Sequence, residues 1–172
     1  MMEELKTRYD LTSIMNSQTP DEYGVEIGVH KGLFSRHILE TSKLKKLFLV
    51  DPWESFRGMD GDEVLDECKR NLSGLEDRYE IVRMRSPEAS SMFDDDSLKL
   101  VYIDGDHTYR GCMRDICAWW PKAARFCLFA GHDYCKRHDY GVVEAVDDFF
   151  SIKCKVHVTT DDGKWPTWWT VK

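Results

Sequence analysis

Acids, histidines and glycines gather at four places in this sequence: Glu26-Ile27-Gly28-Val29-His30-Lys31-Gly32, Asp51 after Val50, Asp104-Gly105-Asp106-His107, and His132-Asp133-Tyr134. Gly28 and Gly32 after an apolar run allow a tight turn and then a helix that starts close against a strand. A dinucleotide would call for G-x-G-x-x-G, because backbone must approach a pyrophosphate and a helix N-terminus must face it. His30 stands where the middle glycine would be, and Glu26 puts negative charge where a diphosphate is unwelcome. A ligand with no phosphates and a positive sulfonium suits these residues better. Asp51 lies where a carboxylate can take both hydroxyls of a ribose. NAD-type oxidoreduction is the least favoured reading.

Those residues need strand tips to hold them. Short apolar runs at 23–27, 47–51, 79–84, 98–104 and 126–131 alternate with segments of helical period at about 32–42, 61–73, 87–93, 108–120 and 141–151. The first helix is expected to carry Leu33, Phe34, His37, Ile38 and Thr41 on one face. Such alternation predicts a parallel sheet covered by helices, with ligands beyond the carboxyl ends of the strands. Residues 153–160 and 165–171 read as a closing β-hairpin turned at Asp161-Asp162-Gly163-Lys164. The fold class expected is therefore α/β: a Rossmann-like, doubly wound, mostly parallel seven-stranded sheet with a C-terminal antiparallel hairpin. One domain spans 1–172, with a short helical segment over 1–21, five βα units over 22–151 and the hairpin over 152–172. Asp104 and Asp133 then cap neighbouring strands about 5 Å apart, so their side chains converge.

From about residue 22 to 150 the sequence resembles class I S-adenosylmethionine-dependent methyltransferases. Their acid-x-Gly-x-x-x-Gly loop matches Glu26 to Gly32. Ile103-Asp104-Gly105-Asp106-His107 and His132-Asp133-Tyr134 look like the I-D-G-D-H and H-D-Y pair of the small O-methyltransferase-like families. The resemblance implies that S-adenosylmethionine is bound by Glu26, Gly28, His30, Gly32, Asp51, Trp53, Arg85, Ser86 and Asp104. It further implies a divalent-metal site, Mg²⁺ or Mn²⁺, at Asp104, His132 and Asp133. Such an ion binds the acceptor hydroxyl and lowers its pKa. His107 falls where relatives carry a general base, with Asp106 as its competitor. Each has a plainer reading: Asp104 contacting cofactor or capping a helix, His132 as a hydrogen-bonded structural histidine, His107 capping the helix at 108–120. Lys122-Ala123-Ala124-Arg125-Phe126 departs from the family's glycine pair and implies a different turn.

Composition narrows the partners. A net charge of −7 over 172 residues, with no basic stripe, argues against nucleic acid. No run resembles a signal peptide or a membrane span, which points to a cytoplasmic location. The six cysteines form no C-x-x-C pair and read as reduced thiols. Trp53, Phe56, Arg57, Tyr134, Arg137, His138 and Tyr140 are the candidate walls for a small-molecule acceptor. With so little chain before the first strand there is little lid, and a second subunit packed on an exposed Trp165/Trp168/Trp169 hairpin would complete the site as a homodimer. A cofactor-binding module or accessory subunit without turnover is the alternative to an enzyme.

Overall fold

The structure, a computed structural model, describes residues 4–16, 22–56, 58–137 and 140–172. Five parallel strands form its centre: β1 (Tyr23–Ile27), β2 (Lys46–Val50), β3 (Tyr79–Val82), β4 (Leu98–Ile103) and β5 (Ala123–Gly131). β6 (His157–Val158) and β7 (Trp168–Val171) complete the sheet in the order β3-β2-β1-β4-β5-β7-β6, with β7 antiparallel to both neighbours. The strand order reverses between β1 and β4, and there the crossovers diverge to leave a crevice at the strand tips. This is the α/β architecture read from the sequence.

Helices cover both faces. α1 (Leu11–Asn16), α2 (Leu33–Thr41) and α3 (Gly61–Asn71) precede α4 (Ser86–Ala89), α5 (Tyr109–Trp119) and α6 (Val142–Phe150). Side chains alternate along β4, so Val101 and Ile103 join the α5/α6 core while Leu100 and Tyr102 join the α2/α3 core. The same period of two sends the adjacent Trp168 and Trp169 to opposite faces, where they are 0% and 2% exposed. They are core and Trp165 is half-buried, so among the described residues the three tryptophans do not form the exposed face expected for a partner subunit.

Three local readings need correction. On α2 the buried side is Phe34, Ser35, Ile38 and Leu39, and Leu33 is 64% exposed. β5 begins at Ala123, directly after a 3₁₀ turn at Trp120–Lys122, and Phe126 takes a left-handed φ of 66°, so no glycine pair is needed. The hairpin is much shorter than 153–160 and 165–171. Its connection does hold the expected D-G turn, with Gly163 at φ +65° and Trp165 N–H donating to Asp162 O, and it is braced by the Asp162 carboxylate, whose Oδ2 accepts from Thr159 Oγ1, Thr167 Oγ1 and the Arg8 amide. That contact, with Thr160 N–H to Leu5 O and Asp161 N–H to Lys6 O, binds the N-terminal segment over the sheet. Residues 1–3 and 17–21 of the expected helical segment lie outside the described residues.

Candidate active site

Successive strand tips hook onto one another. Gly28 N–H donates to Val50 O, Asp104 N–H to Ile27 O and His132 N–H to Ile103 O, at 2.7–3.0 Å. A Cβ at Gly28 would stand 2.0 Å from the Asp104 carbonyl oxygen, and its φ is +83°, so only glycine lets the first loop reach β4. Around this crossing opens a cleft of about 460 Å³, walled by Gly28, His30, Asp51, Trp53, Arg85, Ser86, Asp104, Asp106, Arg114 and Asp115 among others.

Asp51 organises its near wall. Oδ2 accepts from the His30 amide at 3.0 Å and Oδ1 from the Trp53 amide at 2.7 Å, leaving lone pairs on both oxygens for a ligand. Trp53 is 3% exposed and donates its indole N–H to His30 O, so it pins the loop while also lining the cleft. Arg85 pairs with Glu54 at 2.7 Å, both exposed at the cleft rim, and Ser86 Oγ accepts from Trp119 Nε1.

Two residues expected at the cofactor, Gly32 and Glu26, do not line the cleft. Gly32, at φ +70°, starts α2, and a Cβ there would meet Cys68 Sγ at 2.7 Å. Glu26 is 2% exposed and turns to Ser35 Oγ instead of the cleft wall. Burial, reinforced by the charges of Asp104 and Asp51 and opposed by Ser35, pushes its carboxyl up to about 8.

Beyond Asp104 lies a second group. Asp104, His107 and Asp133 can each offer a ligand atom within 4.8 Å of the others, as a cation site requires. His107 Nε2 stands 2.5 Å from Asp133 Oδ2 and 3.4 Å from Asp104 Oδ1, and its ring stacks on Tyr140 with centroids 4.8 Å apart. His132 is at the margin, its Nδ1 3.4 Å from Asp133 Oδ1 and 3.8 Å from Asp104 Oδ2. Thus His107, not His132, completes the compact three-ligand set. Burial alone would lower the His107 imidazole, but its bonds to Asp104 and Asp133 prevail and raise it to about 9. Burial would likewise raise Asp133, and the two imidazoles hold it well below the usual carboxylate range. Asp106 is separated from this group: its Oδ1 accepts from Thr108 N–H at the start of α5, and the residue lines the cleft.

Two residues went unnoticed in the sequence. Arg8 brings Nη1 to 3.7 Å from Asp104 Oδ2, with its guanidinium 4.9 Å from the Phe34 ring centroid. Asp115 is a buried carboxylate of α5 on the cleft wall. Neither adjoins a motif; one comes from the N-terminal segment and the other from mid-helix. Of the residues expected to wall an acceptor, Trp53 and Phe56 line the cleft, Tyr140 covers His107, Tyr134 OH donates to Asp147 Oδ1, and Arg137 packs on Trp165. Arg57 and His138 lie outside the described residues.

Comparison with known proteins agrees with this geometry. Residues 25–134 match a family model described as a methyltransferase domain. An uncharacterised Sinorhizobium fredii protein, y4gI, is 23% identical over a 152-residue alignment that covers 84% of this chain, and the chain spans 17% of that relative's length. Among solved structures, an rRNA methylase from Streptococcus thermophilus superposes with a TM-score of 0.68 at 11% identity, covering 95% of this chain and 92% of that one. A Streptococcus mutans candidate methyltransferase solved with SAH gives 0.66 at 11% identity, covering 94% of each chain. A candidate O-methyltransferase from Nostoc punctiforme gives 0.68 at 13%, covering 94% and 55%.

Proposed function

We propose that this chain, which belongs to the methyltransferase-domain family and is by that membership an S-adenosylmethionine-dependent methyltransferase, methylates a hydroxyl group of a small molecule. The observation that carries the reading is the sharing of Asp104 between two groups: it walls the cofactor cleft and belongs to the Asp104/His107/Asp133 cluster. A methyl donor held in the one is then beside an acceptor held in the other.

The cleft residues fit S-adenosylmethionine. Asp51 keeps acceptor capacity for the ribose hydroxyls, and Asp104 and Asp106 give a wall that favours positive charge. Methyl transfer needs an acceptor oxygen held in line with the S–CH₃ bond more than it needs covalent help. His107 is the group placed to take the acceptor's proton, with Asp133 orienting its imidazole. Because both carboxylates keep His107 protonated near neutrality, the acceptor must displace one of these contacts before His107 can act as a base.

The same cluster fits a divalent ion. With the ion bound, Asp104, His107 and Asp133 would be its ligands and His107 would no longer be the base; an imidazole among the donors would favour Mn²⁺ over Mg²⁺. Such an ion supplies Lewis-acid activation of the acceptor hydroxyl. The acidic net charge supports a small molecule over nucleic acid as acceptor. Among the described residues no helix is long and apolar enough to cross a membrane.

The test is formation of S-adenosylhomocysteine over a panel of phenols, sugars and hydroxy acids, with and without Mn²⁺ or Mg²⁺. Turnover with at least one class is expected. Asp51→Ala is expected to weaken cofactor binding, and Asp133→Ala to spare binding and abolish turnover. Equal loss of binding in both variants would end the two-group reading. Retained binding with no turnover on any panel member would assign the chain as a cofactor-binding module.

A further inference from the structure

The chemistry above leaves one buried acid without a task. Asp115 sits midway along α5 and is 2% exposed, yet it is on the cleft wall, and its Oδ1 makes no hydrogen bond. A buried carboxylate oxygen without a partner is a net loss of order 1–3 kcal/mol, so a donor is missing from this part of the cleft. Gly105, itself on the cleft wall, lies between Asp115 and the tip of β1, where a Cβ would stand 3.5 Å from Asp115 Oδ2 and 3.6 Å from Ile27 Cγ2, so the residue that borders the carboxylate on the cleft side carries no side chain. Ser86, also on the cleft wall, is fixed from the same helix by Trp119 Nε1, so α4 and α5 hold Ser86 and Asp115 as one rigid end of the cleft.

We infer that Asp115 reads the base of the cofactor, its unpartnered Oδ1 accepting an N–H of the adenine 6-amino group. This rests on the reading of the cleft as an S-adenosylmethionine site. That cofactor has three kinds of donor: an α-ammonium, ribose hydroxyls and the adenine amino group. Asp51 answers the hydroxyls, and Asp104, at the side of the acceptor cluster, answers positive charge. The amino group is the donor left over, and Asp115 is the acceptor left over. Burial raises the Asp115 carboxyl to about 6, against the pull of Ser86 and Arg114, which leaves it ionised above neutrality. An ionised carboxylate only accepts, so it welcomes an amino group and repels a carbonyl oxygen in the same place.

The experiment compares binding of S-adenosylhomocysteine with that of S-inosylhomocysteine, in which the 6-amino group is replaced by an oxo group. Calorimetric titration at pH 8 is run on the wild type, on Asp115→Asn and on the smaller Asp115→Ser. The wild type is expected to prefer the adenosyl ligand by at least about 30-fold, since a site built for a hydrogen bond rejects the analogue that lacks it. Asn can turn either its oxygen or its amide toward the base, so that preference is expected to fall at least about 10-fold, and Ser is expected to reduce it similarly. A merely structural Asp115 would shift affinity for both ligands together and leave their ratio unchanged. An unchanged ratio in the variants, or equal binding of both ligands by the wild type, overturns the assignment while leaving the cofactor reading intact. Failure of the wild type to bind either ligand removes the cofactor reading itself.

Discussion

Replacing Glu26 by Gln tests the electrostatics of the first loop. Glu26 is enclosed beneath the loop, bonded to Ser35 Oγ, and its carboxyl titrates at about 8 against 4.5 for an unhindered glutamate. The folded state therefore holds this proton more tightly than the unfolded chain does. The stabilisation is complete below pH 4.5 and is lost as the pH rises through about 8. Between those limits the loss runs at about 1.4 kcal/mol per pH unit, or roughly 3 kcal/mol by pH 7 and nearly 5 above pH 8. Gln keeps an oxygen for Ser35 and cannot ionise. Wild type and Glu26→Gln should thus differ by under about 1 kcal/mol at pH 5, and the variant should be the more stable by several kcal/mol at pH 9. Urea unfolding of both proteins at pH 5, 7 and 9 measures this. Parallel pH profiles would show that Glu26 is not neutral in the folded protein and that burial is not the controlling influence.

Gly28→Ala should lower stability by about 3 kcal/mol or more, since its Cβ meets the Asp104 carbonyl oxygen and its φ is left-handed. A thermal midpoint within about 2 °C of wild type would contradict that contact. Asp51→Asn removes the charge that holds the His30 and Trp53 amides, and S-adenosylhomocysteine affinity measured by calorimetry should fall about 10- to 100-fold. Asp162→Ala strips the acceptor from Thr159, Thr167 and the Arg8 amide. Loss of about 2–3 kcal/mol and faster hydrogen exchange at Arg8 and Asp161 are expected, and unchanged exchange would mean that the two ends are not coupled through Asp162.

The sheet was legible because its signals are local. Apolar runs of strand length, Gly28 and Gly32, and acids at strand ends place the tips wherever the helices settle. Which way a side chain turns at a tip is decided by packing. Glu26 follows the strand's alternation away from the cleft, and nothing in Glu26-Ile27-Gly28 shows that Ser35 is waiting behind it. His107 and Asp106 adjoin in sequence, but the start of α5 sends one to Asp133 and keeps the other over the helix N-terminus. Arg8 meets a residue 96 positions away, through a segment held by Asp162, a contact without sequence periodicity. The hairpin was read too long because the run from Val156 to Thr160, rich in β-branched residues, extends beyond His157 and Val158, the two residues that pair with β7.

Three side-chain-bearing residues around the site, His30, Trp53 and Asp133, are held at φ of 52°, 42° and 58°. Conformations of that kind carry roughly 1–3 kcal/mol of strain each when the residue is not glycine. Breeding this protein for heat tolerance would accordingly find a gain at His30, by glycine replacement that relaxes the backbone, whereas at Asp133 the loss of the carboxylate's bonds to two imidazoles offsets it. The gain at His30 would remove an imidazole from the wall of the cleft, so hardiness and the proposed cofactor binding are set against each other at that one position.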